Sequence, residues 1–132
     1  MPLTIGLLGA GRLGSAIHAA AASSDDVRVS WTVGREGLGA AELGPVDVAI
    51  DVSTAAAVAD HLAWARTTGT PLVIGTTGWD PTLLDGVDGE ARVLVAPNFS
   101  LGVALVRRLA HVLGGYAASS PVEVDLAITD TH

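Results

Sequence analysis

The chain has 132 residues, a net charge of −7, seven Arg, no Lys and no Cys. That length is about one ordinary globular domain, and a chain without a basic face has nothing with which to grip a nucleic-acid backbone. The missing cysteines exclude disulfides, thiolate metal sites and a cysteine nucleophile, and the missing lysine excludes Schiff-base chemistry. No basic, then apolar, leader opens the sequence, and no run approaches 18 uninterrupted apolar residues, so a soluble, cytoplasmic protein without membrane partners is expected.

Short apolar runs alternate with Ala-rich stretches. Leu3 to Leu8 reads as a strand, Arg12 to Ala22 as a helix and Val27 to Val33 as a second strand, with Ser23-Ser24-Asp25-Asp26 as the turn between the last two. The connection Gly34 to Pro45 holds four Gly and one Pro, thin material for a crossover helix, so a short or irregular link is predicted. Val46 to Val52 reads as the third strand. Ser53 or Thr54 can then cap a helix running to Thr68, ended by Gly69 and followed by Pro71. Leu72 to Gly75 and Arg92 to Ala96 are the fourth and fifth strands, and Ser100 can cap a long apolar helix from Leu101 to Ala117. Val122 to Ile128 alternates like a further strand. The order predicts an α/β doubly wound parallel sheet of the Rossmann dinucleotide-binding type.

Gly9-Ala10-Gly11-Arg12-Leu13-Gly14 is a G-x-G-x-x-G turn that follows a strand and opens a helix, the context in which it cradles a pyrophosphate. Gly9 allows the tight turn, Gly11 the close approach of phosphate oxygens, and Gly14 the packing of helix on strand. Arg12 is either a second phosphate contact or an exposed first-turn residue. An NAD-selective site usually places a carboxylate about 20 residues further on. Gly34 stands there instead, followed by Arg35, which either pairs with a 2′-phosphate or is a solvated loop arginine, while Glu36 is close enough to serve the ribose. NADPH is therefore the expected cofactor, with NADH as the alternative. His18, His61 and His111 fall on predicted helices with no metal-ligand spacing, and surface or edge positions are expected for them.

Several segments, in order, resemble dihydrodipicolinate reductase, also called 4-hydroxy-tetrahydrodipicolinate reductase, of bacterial lysine and diaminopimelate synthesis. They are Gly9 to Gly14, Asp51-Val52-Ser53-Thr54, Val73-Ile74-Gly75-Thr76-Thr77-Gly78-Trp79, Ala96-Pro97-Asn98-Phe99-Ser100-Leu101-Gly102-Val103 and Asp130-Thr131-His132. The resemblance implies an NAD(P)H-dependent oxidoreductase that passes hydride to a cyclic dicarboxylate. It implies cofactor contacts at Gly9, Gly11, Arg12, Leu13, Gly14, Arg35, Ser53, Thr54, Gly75, Thr76, Thr77, Ala96, Pro97, Asn98 and Phe99. His132 matches the first histidine of the family's His-His pair and is the one acid candidate. Asp130 stands where the family usually has Glu, and the second His, the Lys and the P-S-G-T anion site have no counterpart. The expectation is a dinucleotide-binding domain at 1–120, with 121–132 beginning the connection to a substrate and oligomerisation domain absent from this chain. The full-length form would then be a homo-oligomer, and the 132 residues alone inactive. Two other readings stay open: a nucleotide-sensing module without catalysis, and another amino-acid dehydrogenase such as aspartate dehydrogenase.

Residue chemistry sharpens the segment at Gly75 to Gly78. Small residues there should expose backbone N–H groups and two hydroxyls to a planar ring, unless Thr76 and Thr77 spend their hydroxyls on local turn bonds. Trp79 is expected to pack rather than to act.

Overall fold

A computed structural model describes residues 1–40, 43–86, 89, 91–125, 127 and 129. Five strands, β1 (Leu3–Leu8), β2 (Val27–Val33), β3 (Val48–Asp51), β4 (Leu72–Ile74) and β5 (Val93–Val95), form one parallel sheet in the order β2-β1-β3-β4-β5. Helix α1 (Arg12–Ala22) joins β1 to β2, and α2 (Val58–Thr68) joins β3 to β4. The chain moves outward in one direction through α1 and in the other through α2. Right-handed crossovers therefore put the two helices on opposite faces, and the order reverses between β1 and β3.

Position in the sheet explains the strand patterns. β1 is central and its residues from Ile5 onward are buried, so it reads as an unbroken apolar run, whereas the edge strand β2 alternates. Gly6 on β1 has no side chain because the Trp31 ring lies where a Cβ would be, 2.2 Å from it, and the pairing of β1 with β2 shifts register at that point. Trp31 meets Trp64 of α2 edge-on, with centroids 5.6 Å apart, and its Nε1–H donates to the Gly44 carbonyl at 2.9 Å. One aromatic thus ties β2, α2 and Gly44 of the following connection together. Leu8, Val33, Ala49, Val58, Leu62, Ala65, Leu72 and Ile74 form the continuous core.

Several expected boundaries move. Strands three to five are shorter than the apolar runs that announce them. The helix after β3 starts late: Ala55–Ala57 is a 3-10 turn ahead of α2, and neither Ser53 nor Thr54 caps it through a side chain. Ser53 is occupied elsewhere, as described below. Gly69 does end α2 in the left-handed conformation, φ 68°, and Leu38–Ala40 of the Gly-rich link is a 3-10 turn. Val122 to Asp125 is not a strand; among the described residues no strand pairs with it, and without a partner its alternation gains no ladder. Leu126 and Ile128 of that segment lie outside the described residues.

The chain divides into two compact units, Met1–Pro97 and Asn98–His132. The second is dominated by α3 (Leu101–Ala118), whose first turn is capped by Ser100 Oγ accepting from the Val103 N–H at 3.3 Å. No helix among the described residues is long and apolar enough to cross a membrane.

Candidate functional site

A cavity of about 510 Å³ opens at the carboxyl ends of β1, β2 and β3, where the strand order reverses. The Gly9 to Gly11 turn forms one wall, Gly34 and Arg35 another, and Ser53, Thr54 and His61 a third. The three glycines of the turn do different work. Gly9 has φ +126°, and a Cβ on it would meet the Val52 carbonyl oxygen at 2.5 Å. A Cβ on Gly14 would lie 2.0 Å from the Gly9 carbonyl oxygen, so the helix can sit against the turn only without one. Around a Cβ on Gly11 there is nothing within 4 Å. The fold requires Gly9 and Gly14, while Gly11 leaves open space of the kind a diphosphate needs beside the uncapped N–H groups of α1. The residues present fit a dinucleotide.

Behind the opposite wall lies a polar cluster centred on Asp51, the last residue of β3 and fully buried. Its Oδ1 accepts from the Ser53 N–H at 3.0 Å, the Ser53 hydroxyl at 2.5 Å and the Thr76 hydroxyl at 2.8 Å. Its Oδ2 lies 2.7 Å from His61 Nδ1. The Asp51 carbonyl also accepts from the N–H groups of Gly75 and Thr76, and the Ser53 N–H is shared with Thr76 Oγ1. Burial alone would raise the Asp51 carboxyl, but the hydrogen bonds from His61, Ser53 and Thr76 outweigh it and hold the group below its ordinary 3.8. An ionised carboxylate only accepts, so His61 Nδ1 must carry the proton between them. Serine, histidine and aspartate here do not make a nucleophile: Ser53 Oγ gives its proton to Asp51 and lies 3.5 Å from the same Nδ1 that Asp51 already holds.

This cluster corrects two expectations. His61 is no surface histidine; it is 4% exposed. Val58, His61, Leu62 and Ala65 are the buried residues of α2, spaced i, i+3, i+4, i+7, and that spacing in the sequence already puts His61 on the apolar face. Nor does the Gly75 to Gly78 turn expose all its polar groups. The N–H groups of Gly75 and Thr76 and the Thr76 hydroxyl are spent on Asp51, a long-range partner rather than a local one, because a buried carboxylate must be satisfied. Thr77 is exposed, and Trp79 packs on the core with its Nε1–H donating to the Thr76 carbonyl at 2.8 Å.

Of the residues singled out in the sequence, Gly9, Gly11, Arg35, Ser53 and Thr54 line the cavity. Arg12 and Leu13 are exposed on the first turn of α1, outside that lining, and Gly14 is buried beneath the turn. Glu36 is exposed and outside the cavity lining: its Oε1 accepts from the Gly34 N–H at 2.7 Å, and hydrogen bonds from its own backbone and that of Gly34 hold its carboxyl below the ordinary range. Ala96 follows β5, its N–H donating to Ile74, and Pro97 ends the first unit. Asn98 and Phe99 open the second unit, where Asn98 Oδ1 accepts from the Ser100 N–H. Asp130, Thr131 and His132 lie outside the described residues.

Residues 3–99 match the family described as dihydrodipicolinate reductase, N-terminus. The chain belongs to that family. Curated relatives named 4-hydroxy-tetrahydrodipicolinate reductase include one from Zymomonas mobilis, 38% identical over 97% of this chain and 53% of its own length. Others come from Streptomyces coelicolor, 36% identical over 91% of this chain and 51% of the relative, and Acidiphilium cryptum, 38% over 94% and 51%. The chain spans about half the length of these curated relatives.

Proposed function

We propose that this chain binds a nicotinamide dinucleotide and supplies the cofactor-binding part of a reductase that acts on a cyclic, dihydrodipicolinate-type dicarboxylate in lysine and diaminopimelate synthesis. The observation that carries the reading is the division of labour among the three glycines, in which Gly11 alone is bare for no reason internal to the fold. When bound, the reduced nicotinamide supplies the hydride. The chain's own residues hold and orient it: the Gly9 to Gly11 backbone and the α1 N-terminus take the diphosphate, and Arg35 takes a 2′-phosphate, which makes NADPH the preferred cofactor. Arg12, Leu13, Ser53, Thr54, the Gly75 to Thr77 turn and the Ala96 to Phe99 segment complete the cofactor contacts, as the resemblance implies. His132 is the proton donor by the same argument.

On this reading residues 1–120 are the dinucleotide-binding domain and 121–132 begin the connection to a substrate domain, through which the full-length enzyme, a cytoplasmic homo-oligomer, would assemble. The 132 residues alone should bind NADPH without turning over substrate. A dicarboxylate needs cations, yet the sequence has no Lys, and Arg12 and Arg35 face the cofactor phosphates in this scheme. Fluorescence titration with NADPH, beside an absorbance assay of its oxidation, tests both halves. Gly11→Val should fold as the parent does and lose dinucleotide binding; parental affinity in that variant, read by calorimetry, would remove the reading.

A further inference from the structure

Resting on the dinucleotide reading, we propose that His61 is a ligand-contacting residue of the cavity, its Nε2 accepting a hydrogen bond from a hydroxyl or amine of the adenosine half of the bound dinucleotide. The ring is almost wholly buried and lines the cavity beside Ser53, Thr54 and Ala57. Its Nδ1 is taken by Asp51 at 2.7 Å, and among the described residues nothing bonds Nε2. Nε2 is nonetheless not a sealed, orphaned nitrogen, because no buried side-chain nitrogen or oxygen among the described residues lacks a partner. It keeps an opening, and the cavity is the space that the ring borders. The same cavity carries Gly34 and Arg35 at the end of β2, which places its adenosine side within one enclosure with the ring.

Asp51 sets the chemistry of that contact. Asp51 requires a proton on Nδ1, and a ring carrying that one proton has its lone pair on Nε2, which is the form in which the proposed contact has the ring accept from the ligand in a fixed orientation. Four donors hold Asp51 itself, from Ser53, Thr76 and His61, so the orientation is anchored on the ends of β3 and β4 and on α2. Asp51 is thus a positioning residue and His61 the group that touches ligand.

The test uses the 132-residue chain with NADPH, ADP and nicotinamide mononucleotide as probes. Nitrogen-detected NMR of the histidine rings should show His61 as the Nδ1–H tautomer, with its Nε2 resonance moving upfield on addition of NADPH or ADP and unmoved by nicotinamide mononucleotide. His61→Asn keeps an amide N–H close to the Nδ1 position and removes Nε2. It should melt near the parent temperature yet bind NADPH on the order of tenfold more weakly, the worth of about one hydrogen bond. A proton on Nε2 in the free chain, an Nε2 resonance indifferent to saturating NADPH, or a response to the mononucleotide alone would overturn the proposal even if NADPH binds. Failure of the parent chain to bind any dinucleotide would overturn it together with the function it rests on.

Discussion

Two walls of one cavity are built on opposite principles. The wall at Gly9 to Gly11, with Gly14 beneath it, is made of backbone: its shape comes from glycines, and its polar groups are N–H donors left open at a helix start. The Asp51 wall is made of side chains from three separated stretches, with the Asp51 carboxylate already paired to Ser53, Thr76 and His61 Nδ1 before any ligand arrives. The first wall is rigid because substitution is sterically impossible at two positions. The second is rigid because a buried carboxylate cannot be left unsatisfied. The first wall offers open N–H donors, and the second borders the cavity with Ser53, Thr54 and His61.

Breaking the backbone wall should have the largest effect. Gly14→Val brings a Cβ to 2.0 Å from a carbonyl oxygen of the neighbouring turn, with no flexible side chain to give way. It should cost more than about 4 kcal/mol, in the exceptional class of single substitutions. Denaturant titration beside Gly11→Val, expected to cost only about 1 kcal/mol as the loss of a favoured N-cap, separates a glycine the fold needs from one the ligand needs.

Asp51→Asn attacks the other wall. The amide keeps an oxygen for Ser53 and Thr76 but turns an N–H toward His61, which must give up its Nδ1 proton and carry it on Nε2 instead. A loss of about 2–3 kcal/mol is expected from exchanging charged for neutral hydrogen bonds at a buried site. Its pH dependence has a definite sign. Because the folded carboxyl is held below its ordinary 3.8, Asp51 contributes stability above about that pH, and the contribution is lost as pH falls through the lower folded value. The gap between parent and Asp51→Asn should therefore be full at neutral pH and close below pH 3.8, and a gap that persists in acid would show that the carboxylate's charge is not what the cluster uses. Glu36, Asp47 and Asp80 are held low as well, so only the difference between the two proteins isolates Asp51.

The two walls also differ in how far the sequence announced them. Gly9 to Gly14 is legible because it is local: strand, turn and helix lie within a few residues, and one spacing encodes them all. The sheet was legible for the same reason, each strand being a short apolar run bounded by turn or capping residues, such as Gly9 after β1, Gly34 after β2 and Ser53 soon after β3. The Asp51 cluster joins residues separated by up to 25 positions, and nothing adjacent to Thr76 reveals that its hydroxyl points at a carboxylate. His61 was the exception that could have been read. Its place in the 58, 61, 62, 65 stripe argued for burial, and a buried histidine argues for a partner. The alternation at Val122 to Asp125 misled in the opposite sense, since a period of two describes a strand only when another strand is there to pair with it, and among the described residues none is.

On the open side of the cavity, Arg35 is the charged residue that should sort the cofactors. It lines the cavity and is exposed, and no carboxylate among the described residues pairs with it. Glu36, the neighbour best placed to compete for a ribose, is bound to the Gly34 N–H. Arg35→Ala should weaken NADPH binding by roughly ten- to a hundredfold, about 1.5–3 kcal/mol, and leave NADH almost unchanged. Equal losses for both cofactors in parallel calorimetric titrations would return Arg35 to the solvated loop.

The smallest expected effects are at Thr76 and Thr77, on the turn that follows β4. Thr76→Val keeps the shape of the side chain and removes the hydroxyl that donates to Asp51 and accepts from the Ser53 N–H. The Ser53 N–H retains Asp51 Oδ1, and Asp51 retains Ser53 and His61, so no buried group is orphaned and the cost should stay near about 1 kcal/mol. Thr77→Val, by contrast, removes an exposed hydroxyl and should leave stability within about 0.5 kcal/mol of the parent. If Thr76 served the cofactor directly through its hydroxyl, Thr76→Val would lose NADPH affinity out of proportion to its melting temperature. The bonding seen here assigns that hydroxyl to the cluster, so affinity should hold while stability drops slightly, and thermal melts paired with NADPH titrations of the two valine variants distinguish the cases.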